Sequence, residues 1–113
     1  MAALIVLLLG VSPAQGHTEL RFFKSQDELA TWQKANLVES MGDQKCVAEA
    51  LEMQRRAIRD GYQVSVQAIF YGRWQGGKEW EMVNSTFIGL NLYFFSPTKP
   101  YYWKAGTSIN GLR

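Results

Sequence analysis

The sequence predicts an α+β domain, with two N-terminal helices packed on an antiparallel sheet of three to five strands. Three observations carry this prediction. Apolar residues recur at spacings of three and four ahead of Asp60, then alternate strictly from Tyr62 to Phe70. The change of period falls on Asp60-Gly61, a pair suited to stopping a helix. Beyond it, glycine and proline divide the chain into short runs rich in aromatic and β-branched residues.

The elements follow in order. "TELRFF" (18–23) reads as an edge strand or an extended lead-in. "KSQDELATWQKAN" (24–36) is the first helix. Ser25 is its N-cap, and Glu28 three residues later completes a capping box. Leu29 and Trp32 form its apolar stripe, and Asn36 is its stop. A loop broken at Gly42 leads to the second helix, which starts at Asp43 as the capping carboxylate. Val47, Ala50, Leu51, Gln54, Ala57 and Ile58 are its expected sheet-facing stripe, and Glu52 precedes Arg56 in the favourable order for an ion pair. In the strand 62–70, Tyr62, Val64, Val66, Ala68 and Phe70 share the buried face. A glycine-rich loop (71–79) follows. "WEMVNSTFI" (80–88) and "LYFFS" (92–96) pair as a hairpin around Gly89-Leu90-Asn91. Pro97 and Pro100 end that strand, and "YYWKAG" (101–106) is the last one.

Residues 1–16 stand apart. Ala2 to Val11 is an apolar run too short to span a bilayer comfortably, and the small residues Ser12, Ala14 and Gly16 follow it. The segment reads as a secretory signal peptide or apolar leader, although no Lys or Arg precedes the run. The single folded domain is therefore 18–113, secreted or exported, with no membrane span in its mature form. If the leader is not a signal, the domain is cytoplasmic.

Composition narrows the chemistry. A net charge of +2 does not argue for nucleic acid. One cysteine excludes an internal disulfide, and one histidine, His17, gives no basis for a histidine metal site. No cofactor and no metal are expected. Asn84-Ser85-Thr86 is a glycosylation sequon that, within a strand, serves the sheet instead. Trp74, Trp80, Tyr101, Tyr102 and Trp103 are core residues or the lining of a ligand groove. Cys46 has two readings. It is a small apolar residue of the kind often buried, or a nucleophile at the positive end of a helix dipole beside Lys45, where thiolate is favoured.

The run Cys46, Ala50, Leu51, Gln54, Ala57, Asp60, Gly61, Tyr62 and Ser65 resembles the core of a small transglutaminase-like family. That family has uncharacterised archaeal, bacterial and phage members and is related in layout to papain-like cysteine enzymes. "LRFFKSQDELATWQ" (20–33) and "MVNSTFIGLNLYFFSP" (82–97) extend the resemblance across 18–105. It implies a transglutaminase-like core and a cysteine that attacks a carbonyl carbon. A strand histidine would serve as base, and an acid on the next strand would orient it. Cys46 falls on the nucleophile position, Glu81 on the histidine position and Ser96 on the acid position. Lys45 and Val47 stand where members carry acids. The resemblance thus implies a domain that keeps the nucleophile and has lost both partners. Such a domain is expected to bind a peptide or other extended ligand, without catalysis, between the Cys46 helix and the 80–88 strand. One alternative is an active cysteine hydrolase or acyl transferase using Cys46 with another base. The other is a structural or interaction protein without a site.

Overall fold

The computed structural model describes residues 19–70 and 80–107. The leader, His17 and the 71–79 loop with Trp74 lie outside the described residues. The elements are α1 (Gln26–Ala35), α2 (Cys46–Arg59), β1 (Ser65–Phe70), β2 (Trp80–Ile88), β3 (Asn91–Phe95) and β4 (Tyr102–Thr107). The four strands form one antiparallel meander in the order β1-β2-β3-β4. Both helices pack on one face of it, an α+β fold. Neither helix is long and apolar enough to cross a membrane.

Ser25 caps α1 as its sequence requires, accepting the Glu28 N–H at 3.1 Å. The reciprocal bond is displaced by one residue. Glu28 Oε1 accepts the Lys24 N–H at 2.7 Å rather than that of Ser25. The same carboxylate also accepts from Arg21 Nη2 at 2.6 Å and the Tyr62 hydroxyl at 2.8 Å, which draw it toward the N-terminal segment.

The second helix begins later than its sequence suggests. Its N-cap is Lys45, with no side-chain cap, and Asp43 lies outside it. Gln44 causes this delay. It adopts φ of 64°, a left-handed conformation that interrupts the helix on the Asp43 side. Glu49 Oε2 instead ties the loop to the first turn by accepting the Met41 N–H at 2.8 Å. The other end conforms fully. Tyr62 N–H donates to Ala57 O at 2.8 Å and Gly61 N–H to Ile58 O at 3.0 Å, a Schellman motif with Gly61 at φ 87°.

The buried face of α2 is rotated from the expected stripe. Ala50, Met53 and Ala57 are buried, whereas Val47, Leu51 and Ile58 are 48, 51 and 43% exposed. The opposite flank explains the rotation. There Arg56 Nη1 donates to Asn36 O and Leu37 O, and Arg59 Nη2 donates to Asn36 Oδ1, so α2 leans toward the end of α1. The Glu52–Arg56 ion pair forms at 2.8 Å on the same flank.

β1 starts at Ser65, not Tyr62, because residues 61–63 bond the N-terminal segment through a single parallel bridge between Arg21 and Tyr62. The hairpin loop is the two residues Gly89-Leu90, and Asn91 pairs with Ile88. Gly89 at φ 62° meets the need of a type II′ turn for a positive φ at its first position. The core holds Phe23, Leu29, Trp32, Met53, Ala57, Val64, Tyr93 and Phe95. Full burial of Leu29, Met53 or Phe95 is worth about 1.5–3 kcal/mol each.

Acid should weaken this fold through Glu28. The bonds from Arg21 first, then the Lys24 N–H, lower its carboxyl from 4.5 to about 2. A carboxyl lowered in the folded state adds stability that is present above its unfolded value and lost as pH falls toward its folded value. Denaturant midpoints should therefore fall between pH 4.5 and about 2. Glu28→Gln should be less stable at pH 7 and show a shallower acid decline. Some decline should remain, because Glu52 is also lowered to about 2 by Arg55 and Arg56.

Candidate functional site

Two polar ties set the register of α2 on the sheet. Gln54 Nε2 donates to Val64 O at 2.9 Å, and Asn84 Nδ2 donates to Ala50 O at 2.9 Å. Asn84 is fully buried, and its Oδ1 has no partner among the described protein atoms. Because Asn84 points at α2, the even-numbered residues of β2 face the helices and the odd-numbered ones face away. One helical turn before Ala50 stands Cys46, and two strand residues before Asn84 stands Met82. These advances are about 6 Å and about 7 Å, so the two residues come together.

They line a groove of about 820 Å³. One wall is the 40–44 loop, with Ser40, Gly42, Asp43 and Gln44. Glu49 braces this loop through the Met41 N–H. The other wall is Thr98 and Lys99. Ser96 Oγ holds that turn by accepting both their N–H groups, at 3.2 and 3.0 Å. Gln33 clamps it from α1. Its buried Nε2 donates to Ser96 O, Lys99 O and Tyr101 O at 2.9, 2.9 and 3.0 Å. The groove is therefore open, with hydrogen bonds tying the wall on each side.

The three residues that the resemblance picks out, Cys46, Glu81 and Ser96, all lie among the described residues, whereas the Trp80 side chain, like Trp74 and His17, does not. Cys46 opens α2, half-buried, on the same stripe as Ala50, Met53 and Ala57. Glu81 has the odd parity of β2, so its side chain lies on the sheet face away from α2 and Cys46. By the hairpin register, Ser96 continues the odd face opposite Val83, and its side chain is taken up by the 96–99 turn. Ser96 thus reaches the groove only through the turn it caps. The structure brings Cys46 and Met82 together and keeps Glu81 apart from them. Among the described residues no hydrogen bond reaches the Cys46 sulfur, and the ionisable side chains around the groove are Asp43, Glu49 and Lys99.

Other candidates fall elsewhere. The sequon asparagine is buried, with its amide nitrogen on Ala50 O and Ser65 O, so it serves the sheet. Tyr102 packs against the core, while Tyr101 and Trp103 are 54 and 36% exposed. Among the described residues no group of three or more His, Cys, Asp or Glu could hold a metal ion. Met82, Thr98, Lys99 and Gln33 were not legible as site residues. Only the parity of Met82 with Asn84 pointed to one of them, and it becomes informative once Asn84 is known to face a helix.

This geometry predicts which position can activate Cys46. Met82→His should raise iodoacetamide alkylation of Cys46 several-fold at pH 7, because an adjacent imidazolium stabilises thiolate. Glu81→His should leave the rate unchanged. Alkylation followed by intact mass, with Cys46→Ala as the blank, measures both. No protein-family model, curated protein or solved structure matches this chain.

Proposed function

We propose that this domain binds an extended peptide segment in the groove between the start of α2, Met82 and the 98–99 turn, without turning it over. One observation carries the reading: a groove of about 820 Å³ with a cysteine in its lining and no hydrogen-bonded base for that cysteine among the described residues. Peptides suit the lining. Cys46, Val47 and Met82 give it apolar surface, and Lys99, Asp43 and Glu49 supply charge of both signs. A thiol does nucleophilic work when a neighbouring base takes its proton and later returns it to the leaving group. Among the described residues no histidine lines the groove. The resemblance to transglutaminase-like enzymes fits a groove retained after its catalytic partners were lost.

Selection from a displayed library of unstructured peptides tests this. Selected peptides should shift the amide resonances of residues 40–49 and 98–99. Cys46→Ser should bind them as well as the native protein does. A bulky maleimide on Cys46 should weaken binding by about tenfold or more, about 1.4 kcal/mol. Amide hydrolysis or transamidation of a bound peptide, abolished by Cys46→Ala, would contradict the reading and establish a cysteine enzyme.

A further inference from the structure

Both helices pack on one face of the sheet, and the opposite face carries the odd-numbered residues of β1 and β2. A sheet covered on one side ordinarily turns polar residues outward. Here the outward face is apolar around one small polar spot. Leu20 and Phe22 reach it from the N-terminal segment. They flank Arg21, whose side chain turns to Glu28 and Tyr62 on the helix side. Phe87 and Leu92, opposite each other in β2 and β3, close the other side. Phe22 and Phe87 meet edge to face at 5.8 Å.

The spot between them is made by Ser65 and Ser85, directly opposite each other across the β1–β2 pair. Two short side chains among longer ones leave a cavity of about 310 Å³, at the lower end of the range for small-molecule sites. Ser85 is only 5% exposed, and its hydroxyl makes no hydrogen bond among the described residues. It lines the cavity and is offered to whatever enters. The neighbouring Thr86 differs, because its hydroxyl donates to Gln63 O at 2.9 Å. A buried hydroxyl without a partner is costly, and a buried strand position usually holds an apolar or hydrogen-bonded side chain.

We propose that this cavity binds a small neutral phenol, with its ring beside Phe22 and Phe87 and its hydroxyl on Ser85. Three features of the lining select that class. No lining residue is charged, so an ionised ligand would lose its water without gaining a counter-charge. The walls are two aromatic rings and two leucines, which suit the face and edge of a third ring. The serine hydroxyls can both donate to and accept from a phenol hydroxyl. This cavity shares no lining residue with the Cys46 groove and lies on the other face of the sheet, so it is a second site and not part of the first.

Titration of the full chain with p-cresol, to about 10 mM and followed by amide and methyl resonances, tests this. The shifts should saturate with a dissociation constant of about 1 mM and map to Leu20, Phe22, Ser85, Phe87 and Leu92. Resonances of residues 40–49 and 98–99 should stay in place. The charged ring compounds p-toluate and benzylammonium should give no saturable shift. Ser85→Ala should bind p-cresol about fivefold more weakly, the effect of losing one neutral hydrogen bond. Ser65→Val fills the cavity from an exposed strand position that favours a β-branched residue, so it should abolish binding and keep the thermal melt. No saturable shift with p-cresol would overturn the proposal. So would equal affinity for p-toluate, or p-cresol binding that either serine substitution leaves unchanged.

Discussion

Tyr62 is the residue on which the arrangement depends. It leaves α2 through the Gly61 turn and stacks on Phe23 at 4.0 Å. Its hydroxyl donates to Glu28, the carboxylate that also fixes Arg21 and the start of α1. The N-terminal segment, α1, α2 and the approach to β1 thus meet at one ring. Beside it, Trp32 Nε1 donates to Asp60 Oδ2 at 2.8 Å, tying α1 to the end of α2. Phe23 and Trp32 are buried beside the ring, and the polar partners lie at the rim of the core. A loss at any one of them leaves the others imperfectly satisfied.

The direction of α2 follows from that junction, and the groove follows from the direction. A helix leaving Tyr62 and running back over β1 and β2 sets Gln54 against Val64, Ala50 against Asn84 and Cys46 against Met82. Small residues at 50 and 57 allow a close approach to the sheet. The 98–99 turn closes the far side because Gln33 and Ser96 use their hydrogen bonds to shape it. The groove is therefore a product of the packing, and the same lean that sets Val47 in its lining leaves Leu51 and Ile58 exposed.

Much of the fold was legible because local chemistry and packing agreed. Ser25 and Glu28 mark a helix start, Asp60-Gly61 marks a stop, and the alternation after Tyr62 marks a strand. The α2 stripe is not legible in the sequence because apolar residues cover more of the helix than its contact face needs. Periodicity could not separate Val47, Leu51 and Ile58 from Ala50, Met53 and Ala57. The arginine bonds to the end of α1 make that choice, and they are long-range. The Asp43 cap failed for a backbone reason, the left-handed Gln44, which no propensity announces. Among the candidate site residues, Cys46 could be located from sequence. The separation of Glu81 from it could not, because alternation defines two faces of β2 without saying which one the helix covers. Asn84 decides that by its bond to Ala50.

The central claim is that Cys46 faces Met82 and turns away from Glu81. Site-directed cross-linking measures it directly. With Cys46 as the native thiol, Met82→Cys and Glu81→Cys are each treated with a short bifunctional thiol reagent, and the intramolecular product is quantified by mass. The geometry requires efficient linkage to position 82 and essentially none to position 81. Linkage at position 81 with little at 82 would mean that α2 lies on the other face of β2, and the groove described above would not exist.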